Sequence, residues 1–77
     1  MAKAYVFVKV GVGSAERVAA CLRQLPGVKG ADVVGGISDI VAFVEANDAK
    51  GLSELVLTRI HAIEGVAETE TRLIVEE

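Results

Sequence analysis

Between Ala4 and Val10 the chain alternates, with Val6, Val8 and Val10 on one side and Tyr5, Phe7 and Lys9 on the other. That period of two predicts a strand buried on its valine side. Gly11-Val12-Gly13 predicts a turn, and Ser14 is expected to cap the helix that follows, with Glu16 favourable near its positive end. Val18, Cys21, Leu22 and Leu25 recur at helical spacing as one apolar stripe, which Pro26-Gly27 should stop. Val28 to Gly35 predicts a second strand, weakened by Gly30, and Gly35-Gly36 predicts a hinge or tight turn. A third strand is predicted over Ile40 to Ala46. Asn47 or Asp48 then caps a second helix, whose buried face is Leu52, Leu55, Val56, Ile60 and Ile63, with Gly51 sitting early at some cost in stability. Gly65 ends that helix, and Val66 to Val75 is a last strand.

The second half of the chain therefore repeats the plan of the first. Leu25-Pro26-Gly27-Val28 recurs as Ile63-Glu64-Gly65-Val66, each behind a helix, and each helix follows a valine-rich strand, Val6-Phe7-Val8 or Val41-Ala42-Phe43-Val44. Two strand–helix–strand units in 77 residues predict an α+β fold of the ferredoxin-like, split βαβ kind, in the order βαββαβ. Its four-stranded antiparallel sheet should carry both helices on one face, and residues 1–77 should form one domain. The first and third strands are expected side by side at the centre and parallel, with the other two antiparallel to them at the edges. If Val6, Val8 and Val10 face the helices, Ile40, Ala42 and Val44 do so too. The open face then receives Tyr5, Phe7, Val41 and Phe43, which include every aromatic in the chain. Such a face does not suit water, so it is expected to be a dimer interface. Lys9 and Glu45 are expected to pair at its rim. The converse, aromatics beneath the helices, is the weaker alternative, because small valines suit close helix–sheet packing.

Composition strengthens the expectation of self-association. A domain this small buries only about 60% of its unfolded surface, yet 52% of the residues are hydrophobic. The formal net charge is -3 and the eight Lys and Arg residues are scattered, which argues against direct nucleic-acid binding. One cysteine, Cys21, allows neither an internal disulfide framework nor a paired-thiol metal motif, so a copper-chaperone reading of the fold fails. Lys9 interrupts the N-terminal apolar run too soon for a signal or membrane span, and a cytoplasmic protein without membrane contact is expected.

Candidate chemistry is sparse. His61, the single histidine, falls off the apolar stripe and is expected to be solvated. Cys21 lies on the stripe of the first helix, where a small thiol is a packing residue. No nucleophile–base pair is suggested by spacing, no ligand set for a metal exists, and no catalytic residue is assigned. Gly11-Val12-Gly13-Ser14 resembles a minimal anion cradle but lacks the lysine and the glycine spacing of nucleotide loops. Glu68, Glu70, Glu76 and Glu77 alternate along an edge strand as a solvated face that discourages edge-to-edge pairing. There remains Gly35-Gly36-Ile37-Ser38-Asp39, with Asp39 at the margin of the open face. Amides of a glycine turn beside a carboxylate suit a zwitterion, while spacing alone favours Asp39 as a simple turn cap.

Several segments together resemble the effector-binding (RAM) domain of the Lrp/AsnC transcription regulators. They are Leu25-Pro26-Gly27-Val28, the turn and strand Gly36-Ile37-Ser38-Asp39-Ile40-Val41, the junction Val44-Glu45-Ala46-Asn47-Asp48, and Ile60 through Leu73, with Ile63-Glu64-Gly65-Val66 and Thr69-Glu70-Thr71. The likeness covers almost the whole length and begins at the first strand of the domain, so a stand-alone member without the helix-turn-helix is expected. The resemblance implies a homodimer formed through the open sheet faces, higher assembly of dimers, and a free amino acid bound between dimers. It implies ligand-binding roles for Gly36, Ser38, Asp39, Thr69 and Thr71, and full-length Lrp/AsnC regulators as further partners. Family members often carry an aromatic where Ser38 stands.

The expected function is a non-enzymatic, oligomeric amino-acid-sensing module that modulates transcription regulators or amino acid metabolism and uses no cofactor. The alternatives are a small ferredoxin-like dimeric enzyme of the cofactor-free oxygenase or isomerase type, and a purely structural assembly module.

Overall fold

The computed structural model describes residues 1–35 and 39–75. The strands are β1 (Ala2–Val10), β2 (Val28–Val33), β3 (Asp39–Ala46) and β4 (Val66–Leu73), and the helices are α1 (Ala15–Arg23) and α2 (Ala49–Glu54), the latter running on as a π-helical stretch over Leu55–Ile60. The sheet order is β2-β3-β1-β4. This is the ferredoxin-like α+β fold that the repeated pattern predicts.

One detail is corrected. β1 and β3 are neighbours at the centre but run antiparallel, as do the other two pairs. Each strand–helix–strand crossover skips one position, and the strand that fills the gap belongs to the other unit and enters from the opposite end. The register follows: Val6 is opposite Ala42, Phe7 opposite Val41, and Lys9 opposite Asp39. Glu45 lies across from Lys3, so Lys9 and Glu45 stand at opposite ends of the sheet and the expected pair between them does not form.

Among the described residues the buried set is wholly aliphatic. Ala4, Val6, Val8 and Val10 of β1 meet Ile40, Ala42 and Val44 of β3, covered by Val18, Ala19 and Leu22 of α1 and by Leu52, Val56 and Ile60 of the second helical segment. The aromatics lie on the other side, where Tyr5 and Phe7 remain 46% and 47% exposed and the Tyr5 and Phe43 rings sit 5.4 Å apart, tilted by 45°. The valine-side-down arrangement therefore holds, and the converse is excluded.

α1 differs from expectation at three places. Ser14 occupies the cap position of α1 without a side-chain bond, its backbone already near helical (φ -102°, ψ -7°). α1 ends at Arg23, ahead of Pro26-Gly27, where the Gln24 amide donates to the Cys21 carbonyl and the Leu25 amide to the Leu22 carbonyl. Cys21 is only half-buried, because Ala15 and Ala19 join Val18 and Leu22 in facing the sheet. At the second helix Asp48 is the working cap, accepting from the Gly51 amide at 2.8 Å. Gly51 is there for space: a Cβ would stand 3.2 Å from the Ala46 Cβ and 3.3 Å from the Asp48 Oδ1.

β4 pairs with β1 through a bulge. Val10 is opposite Val66, but Lys9 is opposite Glu68, so Ala67 is the extra residue. Without it, strict alternation from Val66 would turn Glu68, Glu70 and Arg72 toward the helices. With it, Thr69 and Thr71 share the helix-side parity of Val8 and Val6, while Glu68, Glu70 and Arg72 join Lys9, Phe7 and Tyr5 on the open side.

Candidate functional site

Two hollows of about 380 Å³ each flank the sheet, at the small end of the range for ligand clefts. The first lies at one end of the open face, lined by Phe7, Lys9, Val34, Asp39, Glu68 and Glu70 among others. Asp39, half-buried, opens β3, and its carbonyl accepts from the Val34 amide at 3.0 Å. Register sets Lys9 between Asp39 on β3 and Glu68 on β4. Cross-strand neighbours of opposite charge attract, so one cation stands between two carboxylates, beside the apolar floor of Phe7 and Val34. Glu70 is held by Arg72 at 2.5 Å, both well exposed, a pair worth at most about 1 kcal/mol. The arrangement offers a cation and an anion within one small cleft, which suits a zwitterion.

The second hollow is a groove on the helix side of β4. Its lining includes Leu52, Ser53, Val56 and Leu57 from the helical layer and Thr69, Thr71 and Leu73 from the strand. Thr69 is tied to His61 at the end of the helical layer, with 2.7 Å between its Oγ1 and the imidazole Nε2. His61 is exposed, as its position off the stripe predicts, yet it has a defined partner. Periodicity alone could not find that contact, because it spans a helix end and a strand whose parity the bulge resets.

Of the five expected ligand-binding residues, Gly36 and Ser38 lie outside the described residues. The structure does not bring the remaining three into one hollow by their side chains: Asp39 shares the open face with Val41 and Phe43, while Thr69 and Thr71 stand on the helix side. Thr69 borders the first hollow through its place beside Val8 in the ladder, and Thr71 does not line it. Tyr5, Phe7, Val41 and Phe43, the expected interface, do share one face, and Asp39 is at its end rather than apart from it. Glu68 and Glu70 are exposed on an edge strand as expected, whereas Glu76 and Glu77 lie outside the described residues. Among the described residues no helix is long and apolar enough to cross a membrane.

The fold is that of a small α+β domain with hollows on both sides of its sheet, and comparison with known proteins gives its kinship. Residues 3–77 match the model of the Lrp/AsnC ligand binding domain, and the chain belongs to that family. Among solved structures it is similar to TTHA0845 of Thermus thermophilus, at 30% identity and TM-score 0.91 over 100% of this chain and 96% of that one. It is also similar to the hypothetical protein PHS023 of Pyrococcus horikoshii, at 27% identity and TM-score 0.88 over 100% and 93%. The fold recurs in the transcriptional regulator NMB0573 of Neisseria meningitidis, solved as a complex with L-Met, at 22% identity and TM-score 0.83 over 99% of this chain and 51% of that one. No curated protein sequence matches significantly.

Proposed function

We propose that this chain is an effector-sensing domain that takes a free amino acid between protomers, assembles through its open sheet face, and acts by association with regulators of its own family in the cytoplasm rather than by catalysis. The carrying observation is the opposition of Asp39 to Thr69 and Thr71 across one sheet. The placement of these side chains on opposite faces supports a ligand that takes Asp39 from one copy and the threonines from another. The family match and the L-Met complex of the Neisseria regulator support a small amino acid as that ligand.

A charge-assisted hydrogen bond is worth about 1.5–3 kcal/mol, so Asp39→Asn should weaken amino-acid binding by roughly ten- to a hundredfold in titration calorimetry. Thr69→Val should weaken it as well. When the two variants are co-expressed and mix at random, about a quarter of the shared sites recover both native residues, and that fraction should bind with wild-type affinity. No recovery would place the residues in separate sites. If none of the common amino acids binds the wild type, the structural assembly module becomes the better account.

A further inference from the structure

The groove beside β4 carries more than a position for two threonines. Among the described residues its lining includes no charged side chain. Leu57 and Leu73 face it from its two walls and are 68% and 56% exposed, with Leu52 and Val56 forming the apolar depth between. Burying an unpaired charge there would go uncompensated, while an aliphatic chain would remove apolar surface from water on both sides. The helical wall runs from α2, with Leu52 and Ser53, into the π-helical stretch, with Val56 and Leu57, and that stretch is closed by the His61 amide on the Val56 carbonyl at 3.1 Å. Such stretches are rare and recur at functional sites.

The residue that follows this stretch, His61, is the one that holds Thr69. Among the described residues, the hydrogen bond between His61 Nε2 and Thr69 Oγ1 is the one side-chain pair that bonds the helical layer to β4. A hydroxyl has one proton and two lone pairs. With one of these committed to the imidazole, the hydroxyl loses part of its rotational freedom and its remaining proton or lone pairs are biased toward the groove. An exposed histidine held in this way contributes little to the fold and much to the orientation of that hydroxyl.

We infer that the groove between the second helical segment and β4 takes the side chain of an aliphatic amino acid, and that His61 is the positioning residue that sets the Thr69 hydroxyl against the polar end of that ligand. This rests on the amino-acid-binding reading above and names its ligand class.

The probes are L-leucine, L-alanine, L-lysine and L-aspartate, titrated by calorimetry into the wild-type protein. L-leucine should bind about tenfold or more tightly than L-alanine, from the extra buried carbons, and more tightly than either charged amino acid. His61→Ala should weaken L-leucine binding by about five- to tenfold, the worth of one hydrogen bond, at an unchanged melting temperature. His61→Gln should restore most of the affinity. The double variant with Thr69→Val should bind no more weakly than Thr69→Val alone, since His61 acts through that hydroxyl. Tighter binding of L-lysine or L-aspartate, or equal affinity of wild type and His61→Ala, overturns the inference and leaves the sensing reading standing. Absence of binding by all four probes overturns the inference, and extension of that absence to the other common amino acids removes the sensing reading as well.

Discussion

Phe7→Ser tests the open face as the surface of self-association. Phe7 is 47% exposed. An aromatic side chain buries about 150–250 Å² in full, so roughly 90 Å² of this ring is left for a partner to cover. At about 25 cal/mol per Å² that is about 2 kcal/mol per ring, and a twofold interface contains the ring twice, for a total of about 4–5 kcal/mol. Removing both should raise the dimer dissociation constant by about a thousandfold. The monomer should survive, because the core beneath is built from other residues: Val6, Val8, Ile40, Ala42 and their helical partners. Sedimentation velocity across a concentration series is the assay, with thermal melting by circular dichroism as the check on folding. Leu57→Ser, an equally apolar loss on the opposite layer, is the control and should leave this dimer unchanged. A folded Phe7→Ser protein that sediments like the wild type at every concentration would refute the assignment of the interface.

Other substitutions probe the frame. Gly51→Ala should lower stability by about 1 kcal/mol in urea unfolding, although alanine is the better helix former, because the added Cβ crowds Ala46 and displaces the Asp48 cap. Gly65→Ala should cost about 1–3 kcal/mol by the same measurement: φ is +105° there, and a Cβ would stand 2.7 Å from Arg17 Nη2, whose bond to the Glu64 carbonyl would be lost. The purified chain should show no salt-sensitive mobility shift with duplex DNA at physiological ionic strength, given its net charge of -3 and scattered cations.

Alternation and repeat make the architecture legible from the residues alone. Val6, Val8 and Val10 announce a buried strand face, and Leu52, Val56 and Ile60 announce the second helix, because each pattern reflects one local period against one core. Strand direction is not legible in that way. Parity says which side chains share a face, and it is the same whether Ile40 meets Val8 in a parallel or an antiparallel ladder. Likewise Lys9 and Glu45 share a face, yet their distance along it depends on direction. Two features of the candidate site are hidden for another reason. The bulge at Ala67 has no local signature in Val66-Ala67-Glu68, and the contact of His61 with Thr69 depends on that bulge. Asp39 stands out as a residue of interest through the glycines before it, but its separation from the threonines appears only once β4 has its register.

The bulge at Ala67 also sets what kind of change this domain can absorb. From Glu68 to Leu73 a single strand carries two surfaces on alternate residues, charges toward the open side and hydroxyls and a leucine toward the helices. Point substitutions can alter either surface without touching the other, so the two surfaces can drift independently in descent. Length cannot. Beyond the bulge, loss or gain of one codon between Glu68 and Leu73 would exchange the two alphabets from that point on, turning charges toward the helices and hydroxyls toward the open side. Variation in this strand is therefore expected as substitution at constant length, with insertions confined to the turns beyond its ends.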